Sequence, residues 1–135
     1  MMRLLPLALL LLVPGLEAQQ PFPPVASKAQ SALRRGNVEA LVQGSERVQL
    51  RFPGGDPSAP LGRAQTAAAL RDIFGRGVTE EVRVGGFRQV GTDQGWVELH
   101  REYREAGAPG VRSQRVLLGY RLVRGSWVLA EVRVD

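Results

Sequence analysis

Cysteine is absent from the 135 residues, and histidine occurs once, at His100. The first absence excludes disulfides, thiolate nucleophiles, cysteine zinc sites and lipid attachment to a processed N-terminal cysteine. The second removes most imidazole-based metal chemistry, because a zinc site takes three or four Cys, His or carboxylate ligands. Lysine is nearly missing as well: of the 18 Lys and Arg residues only Lys28 is lysine. With 16 Gly and 9 Pro, that skew reads as GC-rich coding rather than charge selected for a partner. Gly75-Arg76-Gly77 lacks the third glycine of a dinucleotide loop and follows no strand. No Gly-Lys phosphate loop, Gly-x-Ser-x-Gly elbow or calcium-binding acidic spacing occurs. Neither a cofactor nor a metal is expected.

The composition is otherwise that of a folded domain, with 44% hydrophobic and 23% charged residues. The net charge of +5 comes from 18 basic against 13 acidic residues. The longest basic run is Arg34-Arg35, and elsewhere arginines alternate with acids, as in Arg101-Glu102-Tyr103-Arg104-Glu105. A nucleic-acid surface would gather its positive charge on one face, so nucleic acid is not an expected partner.

Residues 1–18 read as a secretory signal: Arg3 as the positive start, an apolar stretch from Leu4 to Val13, a Pro14-Gly15 break, then Leu16-Glu17-Ala18 before cleavage. About 10 apolar residues are too few to span a bilayer core, so the mature protein is expected to have no transmembrane segment. The expected product is exported, to the periplasm or the medium. It begins with a loose lead over 19–24 and continues as one domain over 25–135, enough for a single hydrophobic core.

Apolar spacing at Val25, Ala29, Ala32 and Leu33 predicts a helix ending at Gly36. Asn37 caps a short second helix over Val38–Val42. Alternation over 45–52 predicts a half-buried strand, the Pro- and Gly-rich stretch 53–60 a loop, and 63–74 a third helix. Strands follow over 80–87 (with a bulge or bend at Gly85-Gly86), 96–103, 111–123 and 126–134. The last is apolar on both sides at its start, as expected of a central strand or of a sheet face that meets another subunit. Helices followed by neighbouring strands make an α+β domain.

That order resembles the cone fold of the nuclear-transport-factor-2-like (NTF2-like) superfamily, in which three N-terminal helices pack on a curved antiparallel sheet. More narrowly the chain is similar to an exported bacterial family of unknown function, the DUF4783-like proteins. The stretches that carry the likeness are Ala40-Leu41, Val48-Gln49-Leu50-Arg51-Phe52-Pro53, Gln65 through Leu70-Arg71-Asp72-Ile73-Phe74, and Val128-Leu129-Ala130-Glu131-Val132-Arg133-Val134. The resemblance implies a fold with a pocket and brings no catalytic residue with it.

Two groups of side chains bear on chemistry. His100 lies on one strand face with Glu98 and Glu102, where an imidazole beside a carboxylate has the makings of a general base. The same face alternates with an apolar one, so the plainer reading is a solvated pair. The opposite face carries Leu99, Arg101 and Tyr103; with Tyr120 and Phe74 these are the ligand-pocket candidates. An arginine and two tyrosines in an apolar cup suit a small anionic or amphipathic ligand. The plainer alternative has the tyrosine capping the core edge and the arginine reaching out to the rim. The leading expectation is thus a non-catalytic binding or interaction domain, which acts through its pocket or as a homodimer joined by the outer sheet face. The competing one is a small pocket enzyme of the isomerase or dehydratase kind, with His100 or a carboxylate as base.

Overall fold

The computed structural model describes residues 21–135; the leader reading and Gln19-Gln20 lie outside the described residues. The elements run α1 (Pro23–Arg35), α2 (Val38–Val42), β1 (Gln49–Arg51), α3 (Arg63–Phe74), β2 (Gly77–Val90), β3 (Gln94–Glu105), β4 (Arg112–Val123) and β5 (Ser126–Val134). The strands form one sheet in the order β1-β5-β4-β3-β2. β1 runs parallel to β5, and every other pairing is antiparallel. Three helices on a curved sheet make the α+β cone expected from the sequence.

α1 buries Ala26, Ala29, Ala32 and Leu33 along one stripe and packs mainly on β2. Gly36 ends it in the left-handed conformation (φ 69°), its N–H turned back to the Ala32 and Leu33 carbonyls. The Asn37 side chain caps α2 by accepting from Ala40 N–H at 3.1 Å.

The structure departs from the sequence reading in three places. First, the strand expected over 45–52 is three residues long. Only Gln49, Leu50 and Arg51 pair with β5, and on the other edge of β1 Leu50 bonds Ser58, as N–H to Oγ (2.9 Å) and as carbonyl to the Ser58 N–H (2.8 Å). Second, β2 is longer than the strand expected over 80–87 and runs Gly77–Val90; the bulge or bend expected at Gly85-Gly86 is present as an irregularity between Val84 and Gly86, with another between Thr79 and Glu81. Third, the lead is not loose at its end. Helix α1 starts at Pro23, where a fixed φ favours a first turn, and Phe22 just before it is 1% exposed.

Phe22 stands edge-on to Trp127 at 4.8 Å between ring centroids and to Tyr120 at 6.1 Å, with Phe87 at 6.4 Å. This aromatic cluster closes one end of the cone. Gly95 lies beneath it, where any side chain would occupy the Phe22 ring position. The rest of the core is the concave sheet face, with Val97 and Leu99 on β3, Val116 and Leu118 on β4, and Leu129, Val132 and Val134 on β5, together with Leu70 of α3. β5 is apolar on both sides because it is a central strand between β1 and β4.

Candidate functional site

Adjacent residues of a strand point to opposite faces, and β3 uses that rule to separate its two chemical groups. His100 faces outward and Arg101 inward, so their side chains stand on opposite sides of the sheet, although both residues border a small recess on the outer face.

Arg101 does not reach the rim: it is 1% exposed. Its Nε donates to Thr79 Oγ1 (2.8 Å), its Nη1 to Gln114 Oε1 (3.0 Å) and its Nη2 to the Phe74 carbonyl (2.9 Å). The Tyr103 ring lies 4.3 Å and the Phe74 ring 5.4 Å from the guanidinium carbon. Burial lowers its pKa from the ordinary arginine value, and the Tyr103 hydroxyl opposes that in part. The Phe74 carbonyl ends α3, where the helix dipole is negative, so the guanidinium also fastens that helix to the sheet. Leu99 is wholly buried in the core, and Tyr103 is half-buried. The pocket candidates Phe74, Leu99, Arg101 and Tyr103 thus share the concave face, packed closely rather than around an open cup.

The fifth, Tyr120, is 8% exposed and stands at the other end of the cone. Its hydroxyl has no hydrogen-bond partner among the described residues, and burial raises its pKa well above the ordinary tyrosine range. Tyr120 lines a groove of about 820 Å³ that runs between α1, α2 and the start of β5. Val25, Ala29, Leu41 and Trp127 supply apolar surface there. Lys28 and Arg35 line it as well, and no acidic residue does among the described lining. Sequence reasoning missed this groove. Its cations come from the polar stripe of α1, which periodicity assigns to solvent, and the covering β5 arrives from 90 residues later in the chain.

On the outer face His100 Nε2 lies 2.8 Å from Glu98 Oε2, with 37% of the histidine side chain exposed. The ring rests against Gly85, the extra residue of a β2 irregularity; a Cβ there would overlap both His100 and Glu98. Glu102 shares a small recess of about 190 Å³ with His100, Arg83, Ser113 and Arg115. The cross-strand row Arg83, His100, Arg115 is held by carboxylates: Arg83 by Glu81 at 3.5 Å, Arg115 by Asp135 at 2.7 Å. Gly85→Ala is expected to separate His100 from Glu98 while changing stability by less than about 1 kcal/mol, since both side chains have solvent to swing into. Loss of the Nε2–Glu98 contact in nitrogen-15 imidazole spectra, beside a nearly unchanged urea midpoint, checks this.

Among the described residues no group of three or more His, Cys, Asp or Glu is placed to hold a metal ion. No described helix is long and apolar enough to cross a membrane.

No family model matches the chain, and no curated protein does. Solved structures do match. A DUF4783 family protein from Bacteroides uniformis is 18% identical with a TM-score of 0.67, covering 82% of this chain and 95% of the other. A ketosteroid isomerase-like protein from Erwinia carotovora atroseptica is 19% identical, TM-score 0.63, over 82% and 89% of the two chains. An NTF2-like protein of unknown function from Shewanella oneidensis is 15% identical, TM-score 0.58, over 82% and 93%. At these identities the likeness concerns the fold. The chain has an NTF2-like fold and resembles the DUF4783 proteins.

Proposed function

We propose that this is an exported, non-catalytic domain that binds a small amphipathic anion in the groove between α1, α2 and β5. The observation that carries the reading is the Tyr120 hydroxyl, which belongs to a nine-tenths buried residue, has no partner among the described residues, and lines a groove with two cations and no acid among its described residues. A buried donor left unpaired costs about 1–3 kcal/mol, and a ligand oxygen placed against it recovers that. Lys28 and Arg35 stand two helical turns apart, about 10 Å, and make no ion pair among the described residues. The apolar floor between them suits a hydrocarbon body whose charged head reaches one of the two. The volume falls within the usual range for small-molecule sites. Export rests on the leader-like residues 1–18.

The competing reading is an isomerase or dehydratase acting within the cone. It requires a base that faces the bound molecule, and His100 faces away from it.

Native mass spectrometry of protein purified from its own host is expected to show a retained anion. It also counts subunits, for which the outer sheet face is the surface we propose. Oleate and oleyl alcohol, titrated against tryptophan fluorescence, test the chemistry. Oleate is expected to bind more tightly, and Lys28→Glu with Arg35→Glu to weaken it at least about tenfold. Tyr120→Phe is expected to cost a further few-fold, about 1 kcal/mol, by removing one hydrogen bond. Equal binding of acid and alcohol, unchanged in the charge-reversed variant, contradicts the proposal.

A further inference from the structure

We propose that the two hairpin tips at the aromatic end of the cone dock on an anionic phospholipid surface. The tips are the β2–β3 turn, over 90–94, and the β4–β5 turn at Arg124-Gly125. They stand side by side, because the Leu122 N–H beside one donates to the Asp93 carbonyl of the other at 2.8 Å. Five large apolar residues are exposed among the described residues, and three of them belong to these hairpins: Phe87 (47%), Val90 (46%) and Val123 (39%). Val90 and Val123 flank the turns themselves, and Phe87 reaches the same end beside Phe22.

Charge separates this end from the opposite one. The stretches 87–94 and 119–126 hold three arginines, Arg88, Arg121 and Arg124, and one acid, Asp93. None of these arginines meets a carboxylate among the described residues. At the other end of the sheet, where Val78 and Val111 are exposed, 76–81 and 102–112 hold three arginines and four glutamates. There Arg76 pairs with Asp72 at 3.1 Å, Arg104 with Glu80 at 2.6 Å and Arg112 with Glu105 at 4.0 Å. Arg124 adds a backbone argument. Its φ of 51° lies in the left-handed region, where a two-residue turn favours glycine, asparagine or aspartate. It alone of the non-glycine described residues has a positive φ. A guanidinium is thus held at the extremity of the molecule against the preference of its own backbone.

Shape and charge together identify the occupant. The apolar groups stand on protruding turns, so the partner must receive them. A bilayer interface does so without a matched pocket: the valines and Phe87 enter the acyl boundary while the arginines stay at the phosphates. A nucleic-acid backbone would meet the arginines and leave the apolar tips wet. Pro21 and Ser126 of this end also border the groove, yet the inference does not depend on the groove being filled.

The test uses the protein as its host processes it, with vesicles of phosphatidylglycerol and of phosphatidylcholine. Cosedimentation with phosphatidylglycerol is expected, weakened by salt, and much less with phosphatidylcholine. Arg88→Gln with Arg121→Gln and Arg124→Gly is expected to weaken vesicle binding about a hundredfold, at about fivefold per charge. Val90→Ser with Val123→Ser is expected to weaken it about tenfold. All five positions are exposed, so the fold is kept, and oleate binding in the groove is expected to persist in both variants. Because the chain has no cysteine, Val90→Cys and Val111→Cys each take a single polarity-sensitive dye. Its emission is expected to shift to the blue on phosphatidylglycerol at position 90 and to stay unchanged at position 111. No binding to phosphatidylglycerol, equal binding to both lipids, binding unchanged in the tip variants, or an equal dye shift at position 111 overturns the proposal. A subunit count that falls in the Val90→Ser, Val123→Ser variant also overturns it, and assigns the tips to a second copy of the chain.

Discussion

Phe22→Ala is expected to destabilise the domain by about 3–5 kcal/mol, the range for deleting a fully buried aromatic side chain. The ring sits at 1% exposure against Trp127, Tyr120 and Phe87. Its removal takes away the transfer free energy of the ring and the edge-to-face contacts, and leaves a hole bounded by Gly95, which has no side chain to move into it. Because Phe22 directly precedes α1, the loss also frees the helix start, which has no side-chain cap of its own. Urea unfolding followed by far-UV circular dichroism reads the change as a lower midpoint with an unchanged slope. A midpoint within error of the parent would mean that the lead is as loose as its composition suggests.

Gly95→Ala is expected to cost about 1–3 kcal/mol, and to cost far less once Phe22 is gone. The added Cβ would lie 2.5 Å from Phe22 Cε1 and 2.6 Å from Cζ, well inside contact distance, and the ring is held by its neighbours. Overpacking of a filled core costs this much because the ring must leave its rotamer or the strands must part. In the Phe22→Ala background the methyl enters a vacated space, so the two substitutions should couple by more than about 1 kcal/mol in a double-mutant cycle. Additive effects would place the ring elsewhere. Gly95 is needed here for space and not for backbone freedom, since it is absent from the positive-φ glycines.

Much of the fold could be read along the chain. The bounds of α2, α3 and β5 follow from caps, glycines and alternation, because those are local effects within a few residues. β1 could not be shortened in advance, since its length is set by the three residues that meet β5, a segment from the far end of the chain. The pocket candidates illustrate a different limit. Alternation correctly separates Arg101 from His100, yet it says nothing about depth, and Arg101 sits at the core rather than at the rim. Tyr120 shares their face and a separate neighbourhood, because its strand carries it toward the aromatic end while Arg101 lies under the end of α3.

The missing cysteines and the single histidine were settled by composition alone, and with them the narrow range of chemistry open to this chain. The sequence also determined the α+β order and the inward line of β3, since both depend on periodicities of two and 3.6 residues. Only the tertiary structure decided how deep the arginine and the lone histidine of that strand lie: the arginine is 1% exposed under the end of α3, and the histidine is partly exposed beside Glu98 on the outer face. It also decided that an aromatic cluster closes one end of the cone, and that two cations of α1 border a groove with a tyrosine hydroxyl that has no partner among the described residues. Those outcomes depend on which distant segments meet, and burial, which fixes the cost of each charge and each unpaired hydroxyl, exists only after they have met.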